Sequence, residues 1–125
     1  MQNKPQNYKD LIVWRKGIEL AKLIYMVTGQ FPTEERLGLV SQMRRAAVSI
    51  PSNIAEGPAR HTTTEFIQSI SHAEGSLAEL NTQLILATEL RFCSVNEIGR
   101  ASELLENLRR MLNGLRRKLQ TRPVV

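Results

Sequence analysis

Apolar residues recur at alternating steps of three and four along most of this chain, and this spacing constrains its fold more than any other feature. Residues at such steps share one side of an α-helix, because each residue advances by about 100°. The alternation of β-branched and aromatic residues that marks strands is missing. Three stripes have the helical spacing: Leu37, Val40, Met43, Ala47, Ile50 and Ile54; Phe66, Ile70, Ala73, Leu77, Leu80, Leu84 and Ala87; and Ile98, Ala101, Leu105, Leu108, Leu112, Leu115 and Leu119.

A further amphipathic stretch precedes these three. Asp10 is placed to cap a helix that runs to about Thr28, and Gly29 follows as its end. Its expected inner stripe is Leu11, Trp14, Ile18, Ala21 and Tyr25. Four helices with short connections predict an all-α fold, an antiparallel up-down four-helix bundle.

The length of 125 residues allows a single domain. We expect residues 1–8 to be a disordered N-terminal lead, residues 9–120 to form the bundle and residues 121–125 to be a C-terminal tail. The expected starts of the later helices are Thr33 with Glu34 and Glu35 for the second, Thr62 with Glu65 for the third, and Ser94 with Glu97 for the fourth.

The stretch QMRRAAVSIPSNIAEG, residues 42–57, combines an apolar stripe with a proline in mid-helix. Pro51 has no backbone N–H, so a helix through it lacks one hydrogen bond, and neighbouring groups must compensate for this loss. Gly57 predicts a left-handed end of the helix, and Pro58 prevents its continuation. A polar row at helical steps is either a solvated face or a partly buried seam toward another helix or subunit: Gln42, Arg45, Ser49, Asn53 and Glu56.

The third helix is apolar on all sides around Leu84, Ile85, Leu86 and Ala87. A helix that only its own bundle covers keeps one polar side. We therefore expect additional burial there, against another subunit or against a loop. For two carboxylates on the same helix, Glu74 and Glu79, the simpler expectation is a contact with Arg44 and Arg45 of the second helix, within a subunit or across an interface. The alternatives are plain exposure to solvent and a role as acid and base.

Charge is unevenly distributed, although the net charge of the chain is only +5. Residues 61–106 hold two basic and seven acidic residues, whereas residues 107–125 hold six basic and no acidic ones. Such a basic end can neutralise phosphates, but cations are also favoured at a helix C-terminus. The candidate nucleic-acid contacts are Arg109, Arg110, Arg116, Arg117 and Lys118.

Motifs for chemistry are few. No Glu is followed by His three residues on, and the sequence has no phosphate-cradling glycine loop or nucleophile elbow. The single Cys93 is expected to be a structural thiol. No apolar run is long enough for a membrane span, and no secretory leader is visible. We expect a cytoplasmic protein that is not an enzyme and has no metal or cofactor.

Three runs of the sequence carry a resemblance to a known family. They are LIVWRKGIELAKLIY at Leu11–Tyr25, QFPTEERLGLVSQMRRAAVSIPSNIAEG at Gln30–Gly57 and EFIQSISHAEGSLAEL at Glu65–Leu80. In collinear order they resemble the bacterial four-helix-bundle proteins called 23S rRNA-intervening sequence proteins. The family-like positions are Arg44, Arg45, Ser49, Asn53, Glu56, Gly57, Gly75, Ser76 and Glu79.

The resemblance implies a cytosolic up-down bundle that assembles into a ring-shaped homopentamer, and it implies no enzymatic reaction. It also implies a shape similar to the accessory proteins of diversity-generating retroelements, which are basic pentameric barrels. We therefore expect a non-enzymatic, homo-oligomeric helical scaffold. The alternative is an RNA-binding accessory protein that acts through basic surfaces.

Overall fold

Four α-helices make up the computed structural model, which describes residues 11–121. They are α1 (Ile12–Thr28), α2 (Leu39–Ala59), α3 (Thr63–Glu89) and α4 (Gly99–Gln120). Each helix packs on the next one in sequence, and α4 packs back on α1. The predicted all-α four-helix bundle is confirmed. The predicted lead, the Asp10 cap and residues 122–125 of the predicted tail lie outside the described residues.

The core of the bundle consists of the stripes that the sequence predicts for α2, α3 and α4. In α3 the side chains from Ile70 to Ala87 along the stripe are buried, and Leu84 is 1% exposed. In α4 only Leu115 of the predicted stripe is partly exposed. Leu37 is the exception in α2, because it lies in the turn before that helix and is 92% exposed.

The predicted inner stripe of α1 is confirmed only in part, because Leu11, Trp14 and Ala21 pack partly buried against the core whereas Ile18 and Tyr25 are exposed. The residues that face the core are Val13, Gly17, Leu20, Ile24 and Thr28. The predicted stripe lies beside this one, with Ile18 and Tyr25 exposed. Helix α1 therefore carries two adjacent apolar stripes: one is fully buried, and the other lies at the edge of the core, with Leu11, Trp14 and Ala21 packed against it.

Capping boxes mark the predicted starts of the third and fourth helices. The Glu65 backbone N–H donates to Thr62 Oγ1 over 3.1 Å, and α3 begins at Thr63 as predicted. The Glu97 backbone N–H donates to Ser94 Oγ over 3.2 Å, and the Ser94 backbone N–H donates to Glu97 Oε1 over 2.8 Å. These two bonds close a turn, and regular α4 begins only at Gly99. The start of the second helix is also displaced, since residues 33–35 form a separate 3-10 turn before α2.

Helix α2 continues through Pro51, Gly57 and Pro58 to Ala59, so the predicted stop at Gly57 is wrong. No glycine among residues 11–121 has a positive φ. A Cβ atom on Gly57 would lie 2.7 Å from Phe66 Cε1 on α3. This glycine therefore serves close packing of an aromatic ring. At Pro51 the ring lies against Gly17 of α1, where a Cβ atom would be 3.3 Å from Pro51 Cβ.

Within residues 11–121, no helix combines the length and the apolar content that crossing a bilayer requires.

Candidate interaction surfaces

Arg44 joins α2 to the C-terminal end of α1. Its Nε donates to Thr28 Oγ1 over 2.9 Å, and its Nη2 donates to the Tyr25 carbonyl over 3.1 Å. The guanidinium also lies over the Tyr25 ring, with Cζ 4.4 Å from the centroid. Because α1 has no basic residue in its last turn, Arg44 supplies the cation that its dipole favours there.

Of the five residues in the polar row of α2, Ser49 and Asn53 lie in a partly buried seam, whereas Gln42, Arg45 and Glu56 are exposed. Ser49 Oγ lies 2.8 Å from Ser76 Oγ on α3, and Asn53 Nδ2 donates to the Ser49 carbonyl over 2.8 Å. Both side chains are partly buried at the α2–α3 boundary. Arg45 and Glu56 are more open to solvent, and Glu56 forms an ion pair with Arg60 one turn later.

Glu74 of α3 pairs with α4 and not with α2. Its Oε1 accepts from Arg116 Nε over 2.7 Å, and Arg116 also donates to Asn113 Oδ1 over 2.8 Å. The side chains of Arg116 and Glu74 are only 28% and 24% exposed. The expected contact of Glu74 with Arg44 within the chain is therefore wrong, since these two residues bind α4 and α1 respectively.

Glu79 lies on the exposed side of α3 and accepts a long hydrogen bond from Gln83 Nε2 at 3.5 Å. Gln83 is buried, and its Oε1 has no hydrogen-bond partner among the described residues 11–121. No ion pair joins Glu79 to Arg45 in the part of the chain that the structure describes. Their predicted contact across a subunit interface stays a prediction.

The basic end of α4 divides into paired and open side chains. Arg109 and Arg110 both approach Glu106, and the hydrogen bond from Arg109 lowers the pKa of that carboxyl. Arg116 is taken by Glu74. Arg117 and Lys118, in the last turn of α4, are exposed and have no carboxylate partner among residues 11–121. Of the five predicted contacts, these two are the most available to a phosphate.

Exposed apolar side chains concentrate at the end of the bundle that holds the α1–α2 and α3–α4 corners. Ile85 and Leu86 on α3 are 55% and 48% exposed. Of the predicted all-round apolar segment of α3, Leu84 and Ala87 lie in the core, whereas Ile85 and Leu86 are left half exposed by their own chain. The other large apolar residues exposed near this end are Tyr25, Met26, Leu37, Leu90 and Val95.

Cys93 lies in the α3–α4 corner, beside an open cavity of about 440 Å³. The thiol is buried and 3.8 Å from Thr88 Oγ1. Burial raises its pKa, which keeps the thiol protonated at neutral pH. His61 and His72 are both exposed, and no cluster of three metal-ligating side chains occurs among residues 11–121.

Two contacts between residues that are far apart in the sequence were not predicted. Thr28 is buried as the acceptor for Arg44, and its own hydroxyl donates to the Ile24 carbonyl over 2.6 Å. Arg100 of α4 forms an ion pair with Glu19 of α1, with Nη2 and Oε2 2.9 Å apart. These two residues are 81 positions apart in the sequence. A threonine at a core position of the periodic pattern could have indicated the first contact, whereas no local signal indicates the second.

The helix order, the buried stripes and the polar contacts between neighbouring helices define an all-helical bundle protein. A model of the 23S rRNA-intervening sequence protein family matches residues 9–114. The chain belongs to this family. A search of curated proteins found no match to the chain.

Proposed function

We propose that this protein is a non-enzymatic scaffold built from several copies of the chain, with a ring of five as the expected form. The exposure of Ile85 and Leu86 on α3 carries this proposal. Both side chains sit on a helix whose inner side is already filled by Leu84 and Ala87. A second copy would remove this apolar surface from water, a gain of roughly 25 cal/mol for each Å².

The polar contacts support a scaffold role. The partly buried Arg116–Glu74 pair and the Ser49–Ser76 contact each tie neighbouring helices together. Such groups fix the register between helices more than they add stability. A fixed register suits a subunit that must present a constant surface to its neighbours.

Light scattering on the full chain at micromolar concentration tests the proposal. We expect a mass several times that of one chain, and a monomer would contradict it. Replacing Ile85 and Leu86 together by Asp should lower the mass while circular dichroism remains helical. The matched control is Ile12→Asp, because Ile12 is 65% exposed but lies at the start of α1, at the opposite end of the bundle. An unchanged mass for the double variant would remove Ile85 and Leu86 as the reason for assembly.

Nucleic-acid binding is the second candidate, and the open side chains of Arg117 and Lys118 favour it. Phosphate contacts of this kind give binding that is insensitive to sequence and falls steeply with salt. Filter binding with an RNA duplex at low and at physiological salt is the test. We expect Arg117→Glu with Lys118→Glu to lose binding and Arg109→Gln, at an already paired site, to retain most of it. No retention of RNA at low salt by the unaltered protein would eliminate this function.

A further inference from the structure

The second apolar stripe of α1 forms a ridge on the outside of the bundle. We define the α1 ridge as Trp14, Ile18, Ala21 and Tyr25. Ile18 and Tyr25 are 37% and 46% exposed, and the other two are partly buried. The contacts of Gly17 with Pro51 and of Tyr25 with Arg44 set the α1–α2 register, which places exposed Val48 beside the middle of the ridge.

Small residues form a complementary strip on α3. We define the α3 strip as Ser71, Gly75, Ala78 and Thr82, which are all exposed and follow one another at steps of four, three and four. A Cβ atom on Gly75 would have nothing within 4 Å. The strip is therefore a shallow open groove on the helix surface, and exposed Ile85 continues it by another step. Small side chains let a second helix approach closely, so that larger side chains can fill the space.

The two surfaces also differ in charge. Helix α1 carries three basic residues and one Glu, whereas α3 carries four Glu and no Lys or Arg. Lys22 is exposed on α1 next to the ridge, and Glu79 and Glu89 are exposed on α3 near the strip. Opposite charge around an apolar contact steers association and disfavours like-with-like pairing.

A single chain cannot satisfy this complementarity. Helices α1 and α3 occupy diagonal positions in the bundle, and no contact joins them among the described residues. The part of the ridge that stays exposed in the isolated chain is Ile18 and the side of Tyr25 that Arg44 does not cover, and the strip is exposed along its length. Because the ridge and the strip are different surfaces on different sides, pairing between copies is heterologous, the type of contact that closes into a ring when the rotation allows it.

We propose that the α1 ridge of one copy packs into the α3 strip of the next copy. This inference rests on the proposed homo-oligomer and adds the pair of surfaces that hold it together. Ile18 lies near the middle of the ridge, and Ala78 lies near the middle of the strip. A contact between these two residues is therefore the one least affected by a shift of α1 along the α3 of the next copy.

Cysteine cross-linking tests this contact. Ile18→Cys and Ala78→Cys are introduced singly and together in a Cys93→Ser background and treated with a short bismaleimide. We expect a ladder of covalent multimers from the double variant, covalent dimers from an equimolar mixture of the single variants, and only monomers from each single variant alone. The matched control replaces Ile18→Cys with Ile12→Cys, since Ile12 is exposed on α1 but points about 120° away from Ile18 around the helix axis.

The outcomes separate the two proposals. If light scattering shows an oligomer but the double variant gives no ladder, or the Ile12→Cys control gives an equal one, the ridge and strip are wrong and the scaffold stands. Cross-linking of Ile18→Cys to itself would indicate a symmetric contact and overturn the heterologous pairing. A monomer in light scattering removes both proposals.

Discussion

Arg44 reaches from α2 to the buried Thr28 of α1, and its Nε lies 2.9 Å from Thr28 Oγ1. The same guanidinium covers the Tyr25 ring and binds the Tyr25 carbonyl. One side chain thus satisfies an acceptor in the core, caps the end of a helix and shields an exposed aromatic ring. The adjacent Arg45 is exposed and does none of these.

Arg44→Ala should lower the free energy of unfolding by about 1–3 kcal/mol, because it removes hydrogen bonds from a charged donor to a buried acceptor. Arg45→Ala is the matched control and should stay within about 0.5 kcal/mol of the unaltered protein. Urea unfolding followed by circular dichroism measures both. Equal midpoints for the two variants would mean that the Arg44 contacts do not stabilise α1.

Gly57→Ala should destabilise the fold by about 1–3 kcal/mol, because the new Cβ atom would lie 2.7 Å from the Phe66 ring. Adding Phe66→Leu should recover part of the loss by vacating that space. The control is Gly114→Ala in α4, where the new Cβ atom would have no neighbour within 4 Å. That variant should gain roughly 0.5–1 kcal/mol from helix propensity. A Gly57→Ala protein as stable as the unaltered one would show that the ring moves freely.

A double-mutant cycle on Glu74→Gln and Arg116→Gln should give a coupling energy of about 1 kcal/mol, because both side chains are mostly shielded from water. The comparison is the same cycle on Glu106 and Arg110, whose side chains are 3.6 Å apart and much more exposed. Its coupling should be smaller and should vanish at high salt. Similar salt dependence for the two pairs would contradict the shielding of Glu74.

Cys93 should make the stability of the protein fall at alkaline pH. Burial raises the pKa of the folded thiol, whereas the unfolded thiol ionises at about 8.5. The protonated thiol therefore contributes fully to the free energy of unfolding below about pH 8.5. This contribution is lost as the pH rises through the pKa of the thiol in the folded protein. Cys93→Ser should remove this pH dependence, as seen in urea midpoints measured from neutral to alkaline pH. If the urea midpoints of the unaltered protein and of Cys93→Ser fall in parallel as the pH rises, groups other than Cys93 cause the loss of stability.

The sequence predicts the helices best where one face alone is apolar. The stripes of α3 and α4 lie in the core, and the Thr62 capping box starts α3 at the expected residue. In α1 the periodicity supports two adjacent stripes equally well. The choice between Val13 and Trp14 as inner residues depends on where α2 and α4 pack, and no local pattern contains that information.

Gly57 shows a second reason for failure. A glycine followed by proline usually ends a helix, and this local rule led to the wrong boundary for α2. The actual reason for glycine is the Phe66 ring on the next helix. For the polar residues, the sequence indicated a possible seam at Ser49, and the structure places Ser49 partly buried against Ser76 of α3. The sequence could not identify the partners of Glu74 and Arg44, since residues 42 and 16 positions away meet them only after the helices pack.

The close approach of Gly17 and Pro51 should make the residues at these two positions change together in evolution. A methyl group at position 17 would crowd the pyrrolidine ring of Pro51. A longer side chain at position 51 would need the space that Gly17 leaves empty. Relatives of this chain should therefore carry substitutions at both positions or at neither. A substitution at only one of them should widen the spacing between α1 and α2.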